Sequence, residues 1–198
     1  MTPAQPPPGS KVVSYAYFRS AASVYEKEKG DSALQFQQFL GLIVRAHHVL
    51  WKGWELYLHH DRHVMSLPYW PALLRMHSEG LLTLWYEGVS AVTPICEMML
   101  WRLLPAFRWL QAEPVAVVCR DLDVIPSPKD RAAVDEWLAS GKAVHVIHDA
   151  GPHGGVMGGT LGVLPQRFRQ LLGMSWDALI AKAPLREPGS EQNLLNSS

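Results

Sequence analysis

The chain has 198 residues, of which 48% are hydrophobic, enough to bury the core of one domain. Its formal net charge is zero, which argues against nucleic acid as a partner, since there is no electrostatic footprint for a duplex. Arg102 and Arg108 interrupt the most apolar window, so no run of 18 apolar residues exists and no stable membrane insertion is expected.

Residues 1–10 contain four prolines and read as a disordered start with neither the basic nor the apolar region of a signal peptide. Cys96 and Cys119 lie in apolar contexts and read as buried, reduced thiols, in keeping with a cytoplasmic protein. Residues 11–185 read as a single domain and 186–198 as a polar tail.

Lys11–Phe18 is β-branched and aromatic, a first strand. Phe36, Phe39, Leu40, Ile43, Val44 and His47 then recur at helical spacing. Trp54–Leu58 reads as a second strand, delivering His59, His60 and Asp61 at its end. A short helix over Pro68–Glu79 and a strand over Leu81–Tyr86 follow. Strand, helix, strand in this order points to an α/β fold with a mostly parallel, Rossmann-like sheet flanked by helices.

Thr93-Pro94 starts a helix that runs to about Leu104, where Pro105 stops or kinks it. Val115–Val118 is an apolar run of the kind buried on both faces of a parallel sheet. It leads into Arg120, Asp121, Leu122 and Asp123. Residues i and i+2 of an extended segment face the same side, about 6–7 Å apart. Two carboxylates at the end of a buried strand sit where open α/β sheets keep their ligands. Paired hard oxygen ligands suit Mn2+ or Mg2+.

Ser127-Pro128 with Asp130 reads as a capped helix start, Val134 and Trp137 as its apolar face, and Gly141 as its stop. Lys142–Ile147 reads as a strand ending at His148-Asp149, and Ser175–Lys182 as a last helix.

Among residues that could do chemistry, Arg120 could pair with a phosphate or with the neighbouring acids. Arg102, in an apolar helix, needs a partner, either a D-x-D carboxylate or a phosphate, unless it faces the surface. His148, Asp149 and His153 cluster after a strand end, where histidine can bind metal or move protons. The pairs His47-His48 and His59-His60 lack zinc-like spacing to a third ligand and read as structural. Gly158, Gly159 and Gly162 lie in a strand-like run, where glycine marks a bulge or a close backbone approach to a ligand.

The succession Met98-Met-Leu-Trp-Arg102, Arg120-Asp-Leu-Asp123, Lys129–Leu138, His145-Val-Ile-His-Asp149, His153 and Met157-Gly-Gly-Thr-Leu-Gly162 resembles the D-x-D glycosyltransferase-like proteins of the GT-A type found in bacteria, phages and large viruses. Glu191-Gln192 followed by Leu194-Leu195 resembles that family's D-Q-x-F-L segment. The resemblance implies a GT-A sheet and a divalent metal between Asp121, Asp123 and the diphosphate of a nucleotide sugar. It implies that Tyr15 touches the nucleobase, and Arg102 and Arg120, read above as possible phosphate partners, are expected at the same cofactor site. Gly158 and Gly159 would let the backbone approach a sugar. Asp149, His153, Glu191 and Gln192 would supply the catalytic and acceptor side.

The function expected is a metal-dependent glycosyltransferase, leaning to retention of configuration. Its acceptor is a glycan, a protein, a lipid or a modified base. Two rivals stand beside it: a non-catalytic nucleotide- or partner-binding protein of the same fold, and a haloacid-dehalogenase-like phosphatase with the first aspartate as nucleophile.

Overall fold

In the computed structural model, residues 7–18, 32–88, 93, 95–108, 113–147 and 158–182 are described. Strand β1 (Lys11–Tyr17) lies at the middle of a six-stranded sheet of order β3-β2-β1-β4-β6-β5. The other strands are β2 (Glu55–His60), β3 (Thr83–Tyr86), β4 (Ala116–Cys119), β5 (Val144–Val146) and β6 (Leu161–Val163). Pairings β1–β2, β2–β3 and β1–β4 are parallel. Pairings β4–β6 and β6–β5 are antiparallel. The sheet is therefore mixed, and the expectation of a mostly parallel sheet holds for the four strands β3-β2-β1-β4.

The two faces follow from the two-residue period of each strand. Val13, Tyr15, Leu56, Leu58, Ala116 and Val118 face one way. They pack under α1 (Ser32–Leu50), α2 (Trp70–Ser78) and α5 (Pro128–Ser140), through Leu40, Ile43, Val44, Leu73, Val134 and Trp137. Val12, Tyr57, Val117, Cys119, Leu161 and Val163 face the other way. That side is covered by α3 (Ile95–Leu100), a 3-10 turn (Trp101–Leu103) and α4 (Pro105–Arg108), then by α6 (Pro165–Leu172) and α7 (Trp176–Lys182). All four residues of β4 are buried, as expected of a central strand.

Several elements differ from the sequence reading. Pro7–Ser10, expected to be disordered, forms a turn in which Ser10 N–H donates to Pro7 O (3.0 Å), and Gly9 N–H donates to Glu113 O (3.2 Å). Strand β2 includes His59 and His60 instead of ending before them. The helical run from Ile95 stops at Leu103 with its cap at Leu104, as expected, but Pro105 also opens α4, where its missing N–H costs no hydrogen bond. Gly158 and Gly159 belong to a 3-10 turn (Gly158–Thr160), and only Gly162 of the three glycines lies in a strand. Helix α6 was not anticipated, although Pro165 at its first turn and Gly173 after it are ordinary start and stop signals. The start at residues 1–6, the Pro94 cap, His148, Asp149, His153, Glu191, Gln192 and the tail 186–198 lie outside the described residues.

Helix α5 shows how local sequence fixes the chain just after the acidic pair. Ser127 N–H donates to Asp130 Oδ2 (2.8 Å), and Asp130 N–H donates back to Ser127 Oγ (3.2 Å). Gly141 ends the helix in the left-handed region at φ 64°. Ser127→Ala should cost about 1 kcal/mol, and lower Tm by roughly 2–4 °C in a chain this long. Calorimetry of the two proteins checks this, and equal Tm values would mean the cap contributes nothing.

Buried histidines make the fold sensitive to acid. His47 donates through Nε2 to Trp54 O (3.0 Å), and burial lowers its pKa from 6.5 to about 4. Burial also lowers His59 and His60. Between the folded and unfolded pKa values the unfolded chain binds more protons, so this stability is complete above about pH 6.5 and is lost as pH falls towards 4. His47→Gln keeps an N–H for Trp54 O and removes the titration. It should flatten Tm against pH between 6.5 and 4.5, and an unchanged slope would exclude His47 as a source.

Candidate functional site at the carboxyl ends of β1 and β4

The sheet grows from β1 in both directions, towards β2 and β3 on one side and towards β4 on the other. Helices α1 and α2 cover one face, and the 95–108 segment that leads to β4 covers the opposite face. A reversal of this kind leaves a crevice at the carboxyl ends of the two central strands, where open α/β sheets bind ligands. Arg120, Asp121 and Asp123 leave β4 at that crevice.

The acidic pair is not extended. Strand β4 stops at Cys119, and Asp121–Val124 form a turn in which Val124 N–H approaches Asp121 O at 3.4 Å. Extended geometry therefore does not set the relation of Asp121 to Asp123. Leu122 between them is buried in the core under α1, α2 and α5, which anchors the turn. Asp123 is exposed and makes no ion pair with a described residue.

Asp121 is held from two sides. Its Oδ1 accepts from Arg102 Nη1, and the Arg102 side chain is only 6% exposed against 36% for Asp121. Arg102 is thus the buried arginine that needs a partner, and a D-x-D carboxylate supplies it. Its own backbone carbonyl accepts from Cys119 Sγ (3.4 Å), which ties the 3-10 turn to β4. On the other side, a Cβ built on Gly159 would overlap the Asp121 carboxylate. The close backbone approach expected of this glycine is made to a protein carboxylate. Gly162 answers to the core: its Cβ would meet the Trp137 ring at 3.1 Å and His145 Cβ at 3.3 Å.

Arg120 does not join Asp121. It is buried on the opposite face, where its Nη1 donates to Cys119 O (2.9 Å) and its guanidinium lies 5.9 Å from the centre of the Trp51 ring. Arg131 approaches the same indole at 5.8 Å. Arg120 Nη2 and the hydroxyl of Tyr15 are buried without hydrogen-bond partners. Burial lowers the Arg120 pKa, against the pull of Tyr15 and Asp130, and burial raises Tyr15 despite Arg120. Tyr15 is fully buried, so its ring is part of the core beneath the crevice. Cys119 is a free thiol pushed up to about 12 by burial, against the arginines on either side of the sheet, and is inert as a nucleophile.

A second buried polar group, unread in the sequence, lies at the ends of β2 and β3. His59 Nδ1 contacts Glu87 Oε1 (2.9 Å), whose Oε2 accepts from Arg108 Nη1 (2.6 Å). Glu87 N–H also donates to His60 O (2.8 Å), which continues the β2–β3 pairing. An acid just after a strand that pairs beside a histidine was the available signal. A cavity of about 550 Å³ lined by His47, Trp51, Trp54 and Leu82 opens at the amino ends of β2 and β3, away from Asp121. Volume alone would favour it, but it lies at the end of the sheet opposite the switch point.

The donors at the crevice are two carboxylates, Asp121 and Asp123, the first of them paired with Arg102. Mg2+ is commonly held by one or two carboxylates together with substrate phosphates and waters, and Asp121 and Asp123 are such donors. No group of three or more metal-binding side chains occurs among the described residues.

Gly159→Ala should push the Asp121 carboxylate out of place and lower stability by roughly 1–3 kcal/mol. The measurement is the denaturant midpoint at constant m-value. A midpoint equal to wild type would show that Asp121 moves away from residue 159 without cost. In comparisons with protein-family models and with curated proteins, nothing matches this chain.

Proposed function

We propose that this chain is a metal-dependent glycosyltransferase of the GT-A kind, moving a sugar from a nucleotide-diphosphate sugar to an acceptor. One observation supports the reading above the others. The two carboxylates of Asp121-Leu-Asp123 leave the central strand at the reversal point of the sheet, with a buried arginine beside the first of them. Fold alone does not carry function, so the residues of the crevice carry the argument.

Asp123, exposed and free of a described ion-pair partner, and Asp121 would hold Mn2+ or Mg2+. Such an ion acts as a Lewis acid that neutralises charge on a departing diphosphate. Arg102 is a second, permanent cation beside Asp121, and a guanidinium suits a phosphate as well as a carboxylate. Leu122, seated in the core, fixes the turn between the two acids, and the Ser127 cap fixes its exit. Preorganised charge of this kind is what transfer from a diphosphate requires. Asp149, His153, Glu191 and Gln192 stay in this proposal as the acceptor side. A glycan, a protein, a lipid or a modified base would be the acceptor, and a cytoplasmic setting belongs to the same reading. Among the described residues no helix is long and apolar enough to cross a membrane.

A thermal-shift series with nucleoside diphosphates and nucleotide sugars, with and without Mn2+, tests the reading. A nucleotide that binds with Mn2+ should raise stability by about 2.7 kcal/mol at 100 times its Kd. Asp123→Asn should remove the Mn2+-dependent part of that shift while leaving the unliganded Tm near wild type. No shift with any nucleotide, or a shift untouched in Asp123→Asn, refutes it. Metal-dependent hydrolysis of a simple phosphoester, lost in Asp121→Asn, would favour the phosphatase instead.

A further inference from the structure

The geometry points to Arg102 as a place-holder for the divalent cation at Asp121: its guanidinium occupies the carboxylate in the free protein and yields it when metal and diphosphate arrive together. This inference rests on the metal–diphosphate reading above.

Arg102 is buried, and Asp121 is its ion-pair partner. A buried guanidinium without a counter-charge is costly, so the pair forms whenever the crevice is otherwise empty of charge. Other acids nearby are committed or misplaced. Asp130 is engaged by the Ser127 backbone and hydroxyl, and Asp123 is exposed at the turn. The Asp121 carboxylate cannot turn away to serve two cations, because Gly159 is packed against it. Yet Asp121 is 36% exposed, so an incoming ion can reach it from the crevice.

Charge decides the consequence. Asp121 and Asp123 contribute two negative charges and Arg102 one positive, which leaves minus one. A dication arriving alone meets a weakly attractive site and must displace a guanidinium that has nowhere else to go. A dication arriving with a diphosphate brings the replacement partner, since phosphate oxygens accept the guanidinium fork that the carboxylate releases. Metal and diphosphate should therefore bind with positive coupling, and each should strengthen the other by the same factor. A diphosphate ligates the metal by itself, so a salt bridge of purely structural use predicts that Arg102→Gln leaves the metal–diphosphate coupling as large as in wild type.

The test is Mn2+ binding to the full chain, read from the free-ion electron paramagnetic resonance signal. Arg102→Gln keeps an N–H donor for Asp121 and removes the charge, and Arg102→Lys keeps the charge. With Mn2+ alone, Arg102→Gln should bind about tenfold or more tighter than wild type, and Arg102→Lys should stay close to wild type. In wild type, after subtraction of the Mn2+–diphosphate complex formed without protein, uridine, adenosine or guanosine diphosphate should tighten Mn2+ about tenfold or more, and Arg102→Gln should lose most of that gain. A folded Arg102→Gln protein that binds Mn2+ no tighter than wild type overturns the proposal. If Arg102→Gln does not fold, wild type decides: absence of coupling between Mn2+ and every diphosphate overturns it. Binding of Mn2+ and a diphosphate without the Arg102 effect would sink the place-holder and leave the glycosyltransferase reading standing.

Discussion

The contact between Arg102 and Asp121 joins two parts of the chain that lie 19 residues apart in sequence. Arg102 belongs to the helical segment that crosses back from the β3 edge, and Asp121 to the turn after the central strand. Tucking Arg102 under the sheet buries Leu100, Leu103, Ala106 and Phe107 against Val117 and Cys119. That burial takes the guanidinium out of water, and only an anion at the end of β4 compensates it. Removing Asp121 would cost more than the pair contributes, because the Arg102 charge would stay buried and alone. Asp121 is thus bound by the fold before it is available to any ligand.

The fold was legible where local rules suffice. A β-branched and aromatic stretch marked β1, a continuous apolar run marked β4, Ser127-Pro128-Lys-Asp130 marked the start of α5 down to its reciprocal hydrogen bonds, and Gly141 marked its end. What local rules could not supply was pairing partner and direction. Lys142–Ile147 and the run ending at Val163 both read as strands, but their antiparallel pairing depends on which edge remains open after β4 is placed. Pro105 both follows the end of one helical run and opens the next, and only the first role was read. The histidine at position 59 gave no hint of its partner, since Glu87 is 28 residues away and meets it only through the β2–β3 pairing.

The candidate site divides in the same way. The acids, their strand and the need of Arg102 for a counter-charge could all be read from the sequence. The separation of Arg102 from Arg120 could also have been read, and from the same alternation. Cys119 and Val117 face one side of β4 and Val118 the other, so Arg120, next after Cys119, falls on the side of Val118, away from the segment that carries Arg102. Arg120 consequently spends its charge among Trp51, Tyr15 and the Cys119 carbonyl, on the face under α1 and α5. Among the described residues, its Nη2 and the Tyr15 hydroxyl are both buried without a hydrogen-bond partner. Sequence adjacency to the acids gave no indication of that.

Strand direction explains why a glycine turn meets an aspartate at all. A sixth strand running parallel to β4 would start at the far end of the sheet, and the residues before it would be a strand length away from Asp121. Because β6 runs antiparallel, its first residues meet the carboxyl end of β4, and the turn Gly158–Thr160 arrives against the carboxylate. Strand β5, antiparallel to β6, leaves the sheet at this same end, where Ile147 N–H donates to Thr160 O (3.1 Å). The chain therefore departs at Ile147 and returns at Gly158 on the acidic side of the sheet. Asp149 and His153 fall in sequence between those two points. The mixed direction of the sheet, which departs from a mostly parallel expectation, is what brings the Gly158–Thr160 turn to the acid that follows β4.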